Sequence, residues 1–310
     1  MSDEAHRVLV DAITDAAGAT AVRYGLRDDS GVSMDTLKVA ERPGGGYLGV
    51  YHSRSPGGRS FRVHLATSSD LLAWRQRAVL DHDASQPMLT PLPGGGFLLA
   101  VEAGGAGRPS WLRFHHYPDA GSLLAGRPQR TFDAPHTLVQ RDRFSEGTPH
   151  VDAATEDLSV VEIGFHYYRG GVVDRQARGR LTGFRTWTAA ADPAADAAIE
   201  ALGVRGNIGG RDCAEWNGAR ITVIEGQLRR RDWGSWRVFR YDRAAGTAEQ
   251  LPIRTRRGST AFGNPKLTVL TAPSGARALL ATMFVFGEGA APGEGGPLLY
   301  YRELPAGGAG

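Results

Sequence analysis

Two stretches of this chain decide its fold: residues 35–52, DTLKVAERPGGGYLGVYH, and residues 85–102, SQPMLTPLPGGGFLLAVE. Each contains an apolar strand, a Pro-Gly-Gly-Gly turn and a second apolar strand that ends in a polar residue. A glycine-rich turn between two such runs is typical of a β-hairpin. The stretches start 50 residues apart, which predicts a repeated β-structure with a period of about this length.

Three weaker copies of the hairpin follow the first two. They begin near Thr148, Asp212 and Asn264, so successive copies lie 50 to 64 residues apart. Five units of this length are typical of four-stranded propeller blades. The sequence therefore predicts an all-β fold, a five-bladed β-propeller with four-stranded antiparallel blades, built as one domain over residues 1–310. The blades are expected to start near residues 33, 84, 146, 207 and 261.

Composition agrees with this fold, because 42 glycines among 310 residues suit many short strands joined by tight turns. A pair of β-sandwich domains is the alternative fold. Outer strands of the blades are predicted at residues 61–67, 74–80, 111–117, 178–187 and 236–241.

The two ends of the chain are predicted to close the ring. The last blade lacks an outer strand after residues 298–302, and residues 21–26 could supply it. Residues 1–20 are predicted to form a short helical segment, with Val8, Leu9 and Ile13 on one apolar face.

Three prolines test the placement of the inner strands. Pro87, Pro149 and Pro265 all lie near the start of a predicted inner strand. A proline in a central strand would remove a ladder hydrogen bond, whereas the innermost strand of a blade has one free edge facing the channel. Their recurrence therefore favours the propeller.

Charge and cysteine content exclude several classes of partner. The formal net charge is +3 and the basic residues are dispersed, so no nucleic-acid partner is expected. Cys213 is the only cysteine, which excludes an intrachain disulfide. The sequence has no apolar run long enough for a membrane helix and no signal-peptide order at its start. A monomer without a membrane partner is expected, cytoplasmic as the chain stands and secreted if a leader has been trimmed.

Polar residues recur where the first strand of each blade starts and where the second strand ends, and both points lie at the same mouth of the channel. A blade does not need titratable groups there in order to fold. We therefore expect a ligand site at this mouth. Its candidate residues at strand starts are Asp35, Gln86, Glu146, His150, Asn207, Arg211, Asp212, Asn264 and Lys266, and those at strand ends are His52, Glu102, His166, Glu225 and Phe286.

Short motifs resemble those of five-bladed glycosidases. Residues 68–74, SSDLLAW, match the Ser-x-Asp-Leu-x-x-Trp signature of the outer strands in glycoside hydrolase families 43, 32 and 68. Asp35 opens its blade as the catalytic aspartate of these enzymes does, and residues 146–149, EGTP, resemble the Glu-Gly-Pro around the family 43 general acid. The resemblance covers the chain from about residue 30 and implies a carbohydrate-active propeller.

The resemblance is incomplete. The family 43 acid lies on the fourth blade, whereas Glu146 opens the third, and the fourth blade offers residues 210–215, GRDCAE. The chain is also similar to divergent actinobacterial proteins grouped with glycosidases, which share residues 146–149, 174–179 and 206–209. These similarities support the superfamily's fold better than its catalytic triad.

The resemblance and the strand positions together suggest a catalytic set. Glycoside hydrolysis needs one protonated and one ionised carboxyl group, and Asp35, Glu146 and Asp212 could face one another across the mouth, with Glu146 or Asp212 as proton donor. The other residues of the two rings are expected to bind an oligosaccharide or another small molecule. No cofactor is required for this chemistry. A divalent ion in the channel, held by His52, His166 and a carboxylate, is left open.

Three functions remain open at this point. A glycoside hydrolase is favoured; a non-hydrolytic enzyme such as a lyase, isomerase or cyclase, and a non-catalytic binding propeller, are the alternatives. The fold does not decide among them.

Overall fold

The computed structural model describes residues 2–55, 57–58, 60–104, 109–139, 145–170 and 172–306. Three α-helices occur in these ranges, α1 (Ser2–Thr14), α2 (Ala120–Leu124) and α3 (Pro193–Glu200). Twenty strands form five separate four-stranded antiparallel sheets. The predicted all-β, five-bladed propeller is confirmed. None of the helices in the described ranges has the length and apolar character needed to cross a membrane.

The closing blade combines both ends of the chain. Strand β1 (Ala21–Tyr24) pairs with the last strand, β20 (Gly296–Glu303), through partners such as Val22 and Tyr300. The predicted closure by the strand after the N-terminal helix is confirmed.

The other strands follow chain order from the channel outward. The first blade contains β2 (Asp35–Glu41), β3 (Tyr47–Arg54), β4 (Phe61–Ser68) and β5 (Arg75–His82). The second contains β6 (Ala84–Pro91), β7 (Phe97–Ala103), β8 (Trp111–Tyr117) and β9 (Arg130–Asp133). The third contains β10 (Glu146–Ala154), β11 (Val160–Arg169), β12 (Val173–Thr182) and β13 (Thr186–Ala191). The fourth contains β14 (Ile208–Trp216), β15 (Ala219–Gln227), β16 (Trp236–Asp242) and β17 (Thr247–Gln250). The fifth contains β18 (Phe262–Thr271) and β19 (Arg277–Val285), followed by β20 and β1.

One outer strand was placed wrongly from the sequence. Residues 178–187 were predicted as a single strand, but a turn at residues 183–185 divides them between β12 and β13. Apolar residues recur on both sides of the turn and within it, at Leu181, Phe184 and Trp187, so the sequence shows no polar break there. Two short outer strands, β9 and β17, were missed because four mostly polar residues carry too little periodicity.

The apolar core lies between neighbouring blades. Leu37 and Val39 of β2 pack with residues of the fifth blade, whereas Leu48 and Val50 of β3 pack with the second blade. Helix α1 adds Leu9 and Ile13 to the core that the fourth and fifth blades share. The helix therefore covers apolar surface where the ring closes.

The glycosidase-like stretch at residues 68–74 is a turn that supports the first blade. The Ser68 hydroxyl accepts the Leu71 N–H, and Asp70 accepts the Leu72 and Ala73 N–H groups. Trp74 is buried and donates its indole N–H to the Leu71 carbonyl. A Cβ at Gly49 would lie 2.6 Å from the Trp74 ring, so the motif and this glycine form one packing unit.

Truncation of the α1 core contact should destabilise the whole ring. Ile13 is fully buried, and the Tyr300 hydroxyl donates a hydrogen bond to its carbonyl. We expect Ile13→Ala to lower the free energy of unfolding by about 2–5 kcal/mol, because it leaves a cavity in the shared core. Urea unfolding followed by fluorescence measures this loss. Arg7→Ala on the exposed side of the helix is the matched control, and an equal effect of the two variants would contradict the role of the contact.

Candidate functional site

The same irregularity occurs at the start of every inner strand. Pairing with the second strand shifts between Asp35 and Lys38, Ser85 and Met88, Gly147 and His150, Ile208 and Arg211, and Gly263 and Lys266. Pro87, Pro149 and Pro265 lie within these bulges, where no ladder bond is lost. The five bulges surround one mouth of the channel.

Four of these bulges hold a non-glycine residue in the left-handed region. The φ angles of Thr36, Gln86, Thr148 and Asn264 lie between 47° and 52°. Each such conformation costs about 1–3 kcal/mol unless neighbouring contacts hold it. The bulges are therefore strained features that the rest of the mouth must stabilise.

Side chains from the second strands supply this support. The Gln86 N–H donates to His52 Nδ1 at 3.2 Å, and the Thr148 N–H donates to Glu102 Oε2 at 3.1 Å. The Asn264 N–H donates to Glu225 Oε2 in the same way. In each case a side chain at the end of one blade's second strand holds the bulge of the next blade.

Two glycines make room for these carboxylates. A Cβ at Gly147 would lie 2.2 Å from Glu102 Oε2, and one at Gly263 would lie 2.8 Å from Glu225 Oε2. The stretch at residues 146–149 therefore has a packing explanation: the glycine admits the carboxylate of the preceding blade. The resemblance of this stretch to a general-acid motif does not require a catalytic Glu146.

Glu146 itself is buried and anchors a loop. Its Oε1 accepts the backbone N–H groups of Thr137, Leu138 and Val139 at 2.8, 2.6 and 3.3 Å. Several backbone donors on one carboxylate oxygen are typical of a structural anchor. The geometry gives Glu146 a structural role, and its predicted catalytic role stays a prediction.

Below the mouth, Asp212 occupies the centre of a buried ion cluster. Its Oδ2 lies 2.7 Å from Lys38 Nζ and accepts the Leu267 N–H at 2.9 Å. Its Oδ1 lies 3.0 Å from His150 Nδ1 and accepts the Cys213 N–H at 2.7 Å. The cluster joins the inner strands of the first, third, fourth and fifth blades.

The charge state of Asp212 follows from these contacts. Burial alone would raise its pKa, but the Lys38 ammonium and then His150 outweigh burial, so the pKa of Asp212 lies well below its usual range. The neighbours responsible are Lys38 and His150, and not the adjacent Arg211. An ionised carboxylate cannot supply a proton, so the geometry disfavours Asp212 as the donor.

Lys38 was missed from the sequence, although a signal for it exists. The chain has only two lysines among its 36 basic residues, Lys38 and Lys266. Both are buried, and they occupy the same position after the bulge in adjacent blades. A lysine in an apolar strand of an arginine-rich chain is the signal that would have identified the cluster.

Lys266 has no hydrogen-bond partner for its ammonium group within the described part of the chain. Burial lowers the pKa of Lys266 to about 8, although Asp212 partly opposes the shift. The same ammonium acts on His52, whose pKa falls to about 3 because of burial first and of Lys266 second. His52 is therefore a neutral acceptor at the mouth.

Two mouth carboxyl groups have raised pKa values. Burial raises the pKa of Asp35, which is only partly buried and accepts a 2.6 Å hydrogen bond from the Ser33 hydroxyl. Burial also raises the pKa of Glu225, against the N–H groups of Asn264 and Gly210 and the charges of His166 and Lys266. The third mouth carboxylate, Glu102, is partly exposed and accepts the Ser110 hydroxyl at 2.8 Å.

Two of the remaining predicted site residues lie apart from this group. Arg211 faces the interface of the third and fourth blades, where its Nη2 lies 2.8 Å from Asp152 Oδ2. Asn207 accepts the Asp174 N–H at 3.1 Å. His166 stays at the mouth: it pairs with Gly147 at the bulge of its blade and its charge acts on Glu225.

The channel continues beyond the ion cluster as a cavity of about 560 Å³. Val39, Met88 and Leu267 line it, and it extends to Glu41 and Glu215 at the other ends of the inner strands. The ion cluster thus lies between this cavity and the predicted mouth.

The channel residues fit a divalent ion poorly. His150, Asp212 and Cys213 place ligand atoms within 4.8 Å of one another. However, the Lys38 ammonium already bonds Asp212, and burial raises the pKa of the Cys213 thiol to about 12. A divalent cation there would meet the buried ammonium groups of Lys38 and Lys266, so the lining does not suit a metal ion.

Comparison with known proteins agrees with the fold. No protein-family profile matches the chain, and no curated protein matches it. Among solved structures, it is similar to a thermostable family-43 glycoside hydrolase, with a TM-score of 0.58, 11% identity and coverage of 91% of this chain and 92% of that one. It is similar to an exo-1,5-α-L-arabinanase from a bovine ruminal metagenomic library, with a TM-score of 0.57, 12% identity and coverage of 87% and 92%.

A third similar structure is the family-93 α-L-arabinofuranosidase of Fusarium graminearum with arabinobiose. Its TM-score is 0.55, its identity 10%, and the coverage 94% of this chain and 97% of that one. At these identities the similarity establishes the propeller fold, and the activity has to be argued from the site.

Loss of the Asp212 charge should destabilise the fold. We expect Asp212→Asn to cost about 3–5 kcal/mol of unfolding free energy, because the variant leaves the Lys38 ammonium buried without its partner. Urea unfolding measures the loss. Asp232→Asn, which breaks the exposed pair with Arg229, is the control and should cost less than about 1 kcal/mol. A small loss in Asp212→Asn would show that the cluster does not hold the channel.

Removal of the unpaired Lys266 ammonium should instead raise the free energy of unfolding. Because the pKa of Lys266 is about 8 in the folded protein and about 10.4 in an unfolded chain, the buried charge costs stability below pH 8 and the cost declines above it. We expect Lys266→Met to be more stable than the wild type at pH 7, with a margin that shrinks between pH 8 and 10. Urea titrations at several pH values test this. A pH-independent margin would contradict the assigned pKa shift.

Proposed function

We propose that this protein is a glycoside hydrolase that cleaves an oligosaccharide at the bulge-lined mouth of the channel. The carrying observation is Asp35, a partly exposed carboxyl group whose pKa is raised by burial, at the same mouth as a second partly exposed carboxylate, Glu102. Glycoside hydrolysis uses such a pair, with one carboxyl holding a proton and the other ionised.

In this proposal Asp35 is the proton donor. A raised pKa keeps more of the carboxyl protonated near neutral pH, which a general acid requires. Partial exposure allows the group to reach a glycosidic oxygen. The neighbouring His52 has a lowered pKa and is neutral. It therefore carries no positive charge that would lower the pKa of Asp35.

Glu102 is the second carboxyl of the pair. Of the other two mouth carboxylates it is the partly exposed one, whereas Glu225 is buried and bonded to two backbone N–H groups. Its hydrogen bonds from the Ser110 hydroxyl and the Thr148 N–H hold it in place at the mouth. It would serve as the base or the nucleophile.

The similar structures suggest which substrates to test first. One of them is named as an exo-1,5-α-L-arabinanase, and another as an α-L-arabinofuranosidase with arabinobiose. We therefore place α-L-arabinofuranosides and α-1,5-arabino-oligosaccharides at the head of a panel that also contains xylosides, galactosides and glucosides.

The test compares Asp35→Asn with the wild type on this panel. We expect the variant to keep its fold, shown by circular dichroism, and to lose at least a hundredfold in kcat, because the change removes the titratable proton at nearly constant shape. Asp157→Asn, in the exposed turn between β10 and β11, is the matched control and should keep full activity. Equal turnover by Asp35→Asn and the wild type would overturn the assignment.

The pH profile gives a second readout. Because the donor must be protonated, the wild-type rate should fall as pH rises through the raised pKa of Asp35. The midpoint of this fall in rate should lie above pH 4, which is close to the pKa of an ordinary aspartate.

Saturable sugar binding without release of reducing ends from any substrate would instead assign the mouth to a non-catalytic binding protein.

A further inference from the structure

One exposed aromatic side chain lies close to the mouth. The exposed large apolar side chains in the described ranges are Val172, Leu202 and Trp233, of which only Trp233 is aromatic. Trp233 is 51% exposed and lies in a short 3₁₀ turn, Trp233–Ser235, between β15 and β16. A large ring left half in solvent is a common feature of a binding surface.

Trp233 is the outermost member of a group of four rings that we term the aromatic ladder: Trp233, Trp236, Phe284 and Phe286. The centroid of Phe286 lies 5.3 Å from that of Trp233, 5.8 Å from that of Trp236 and 5.3 Å from that of Phe284. The inner rings fix the position of the outer one, so little side-chain freedom remains to be lost on binding.

The inner end of the ladder borders the mouth. A Cβ at Gly263 would lie 2.6 Å from the Phe286 ring and 2.8 Å from Glu225 Oε2. The ring and the carboxylate therefore flank the same point, beside the bulge residue Asn264. The ladder runs from solvent to the rim of the candidate reaction site.

Two polar features accompany the rings. Asp232, which directly precedes Trp233 in the sequence, forms an exposed ion pair with Arg229 at 2.6 Å. The loop that carries Trp233 therefore also carries a carboxylate and a guanidinium group. The Trp236 indole N–H is buried and has no hydrogen-bond partner in the described residues. Buried donors are nearly always paired, so this one marks a place that an ordered water would complete.

We propose that the aromatic ladder is a sugar-binding subsite, on which a neutral sugar ring stacks its C–H face against Trp233. The proposal rests on the proposed function for the identity of the neighbouring reaction site. A flat apolar ring with polar groups around it matches a sugar, which has apolar faces and a hydroxyl edge. A single exposed ring is too small for a stable protein interface, which buries about 800 Å² on each partner.

The position of the aromatic ladder favours long substrates over short ones. The ladder belongs to the fourth and fifth blades, whereas Asp35 and Glu102 belong to the first and second, so a ligand that reaches both must extend across the mouth. The preferred ligand is therefore an oligosaccharide, and short glycosides that occupy only the reaction site gain nothing from Trp233.

The test measures binding as a function of ligand length. Calorimetry with the α-1,5-arabino-oligosaccharides from biose to hexaose, in the Asp35→Asn background to prevent turnover, compares Trp233→Ala with its parent. We expect Trp233→Ala to bind the longer members about tenfold more weakly and the shortest member unchanged, since one lost aromatic contact has about this effect. Trp233→Phe should restore part of the affinity. Leu202→Ala, which truncates an exposed apolar side chain outside the ladder, is the control.

The outcomes separate the two proposals. Turnover by the wild type, with equal length dependence in Trp233→Ala, overturns the subsite and leaves the hydrolase standing. Binding that depends on Trp233 without any turnover supports the subsite and overturns the hydrolase. If no member of the arabino-, xylo-, manno- or cello-oligosaccharide series binds the parent, the subsite is overturned. A change of oligomeric state in Trp233→Ala reassigns the ladder to self-association and also overturns it.

Discussion

A single buried carboxylate ties the inner strands of four blades together. Asp212 belongs to the fourth blade, and its oxygens contact Lys38 of the first, His150 of the third and the backbone of Leu267 in the fifth. Oδ2 accepts hydrogen bonds from Lys38 and the Leu267 N–H, and Oδ1 accepts the Cys213 N–H and lies 3.0 Å from His150 Nδ1. The charge is therefore paired and hydrogen-bonded, which a buried ion needs if it is not to destabilise the fold. The channel, and the mouth above it, depend on this cluster.

The mouth adds a second constraint, because three of the five bulges are held by a side chain of the preceding blade. His52, Glu102 and Glu225 accept the N–H of a left-handed residue in the next blade. Polar side chains that recur at equivalent positions thus hold the ring together as well as facing a ligand. A substitution at one of them changes both the shape of the mouth and its charge, so loss of activity there has to be separated from loss of structure.

Local patterns in the sequence were enough to predict the fold and to place the candidate site at one mouth of the channel. The Pro-Gly-Gly-Gly turns, the prolines in bulges and the missing last strand each depend on a few adjacent residues. The contact between Lys38 and Asp212 joins positions 174 residues apart, and only the closed ring brings them together. The motif at Glu146 shows what a local pattern cannot predict. Its Gly147 makes room for the Glu102 carboxylate of the preceding blade, a contact that only the folded ring brings about.

The two lysines also bear on where a reaction can take place. The transition state of glycoside hydrolysis resembles an oxocarbenium ion and is positively charged, so an unpaired buried ammonium nearby opposes it. Lys266 acts on Glu225 and on His52, whereas the charges that act on the Asp35 carboxyl itself are the exposed guanidinium groups of Arg27 and Arg54, which solvent screens. The reacting sugar is therefore better placed on the side of Asp35 and Glu102. Glu225 and the aromatic ladder belong to the fourth and fifth blades, where a sugar unit binds without developing charge.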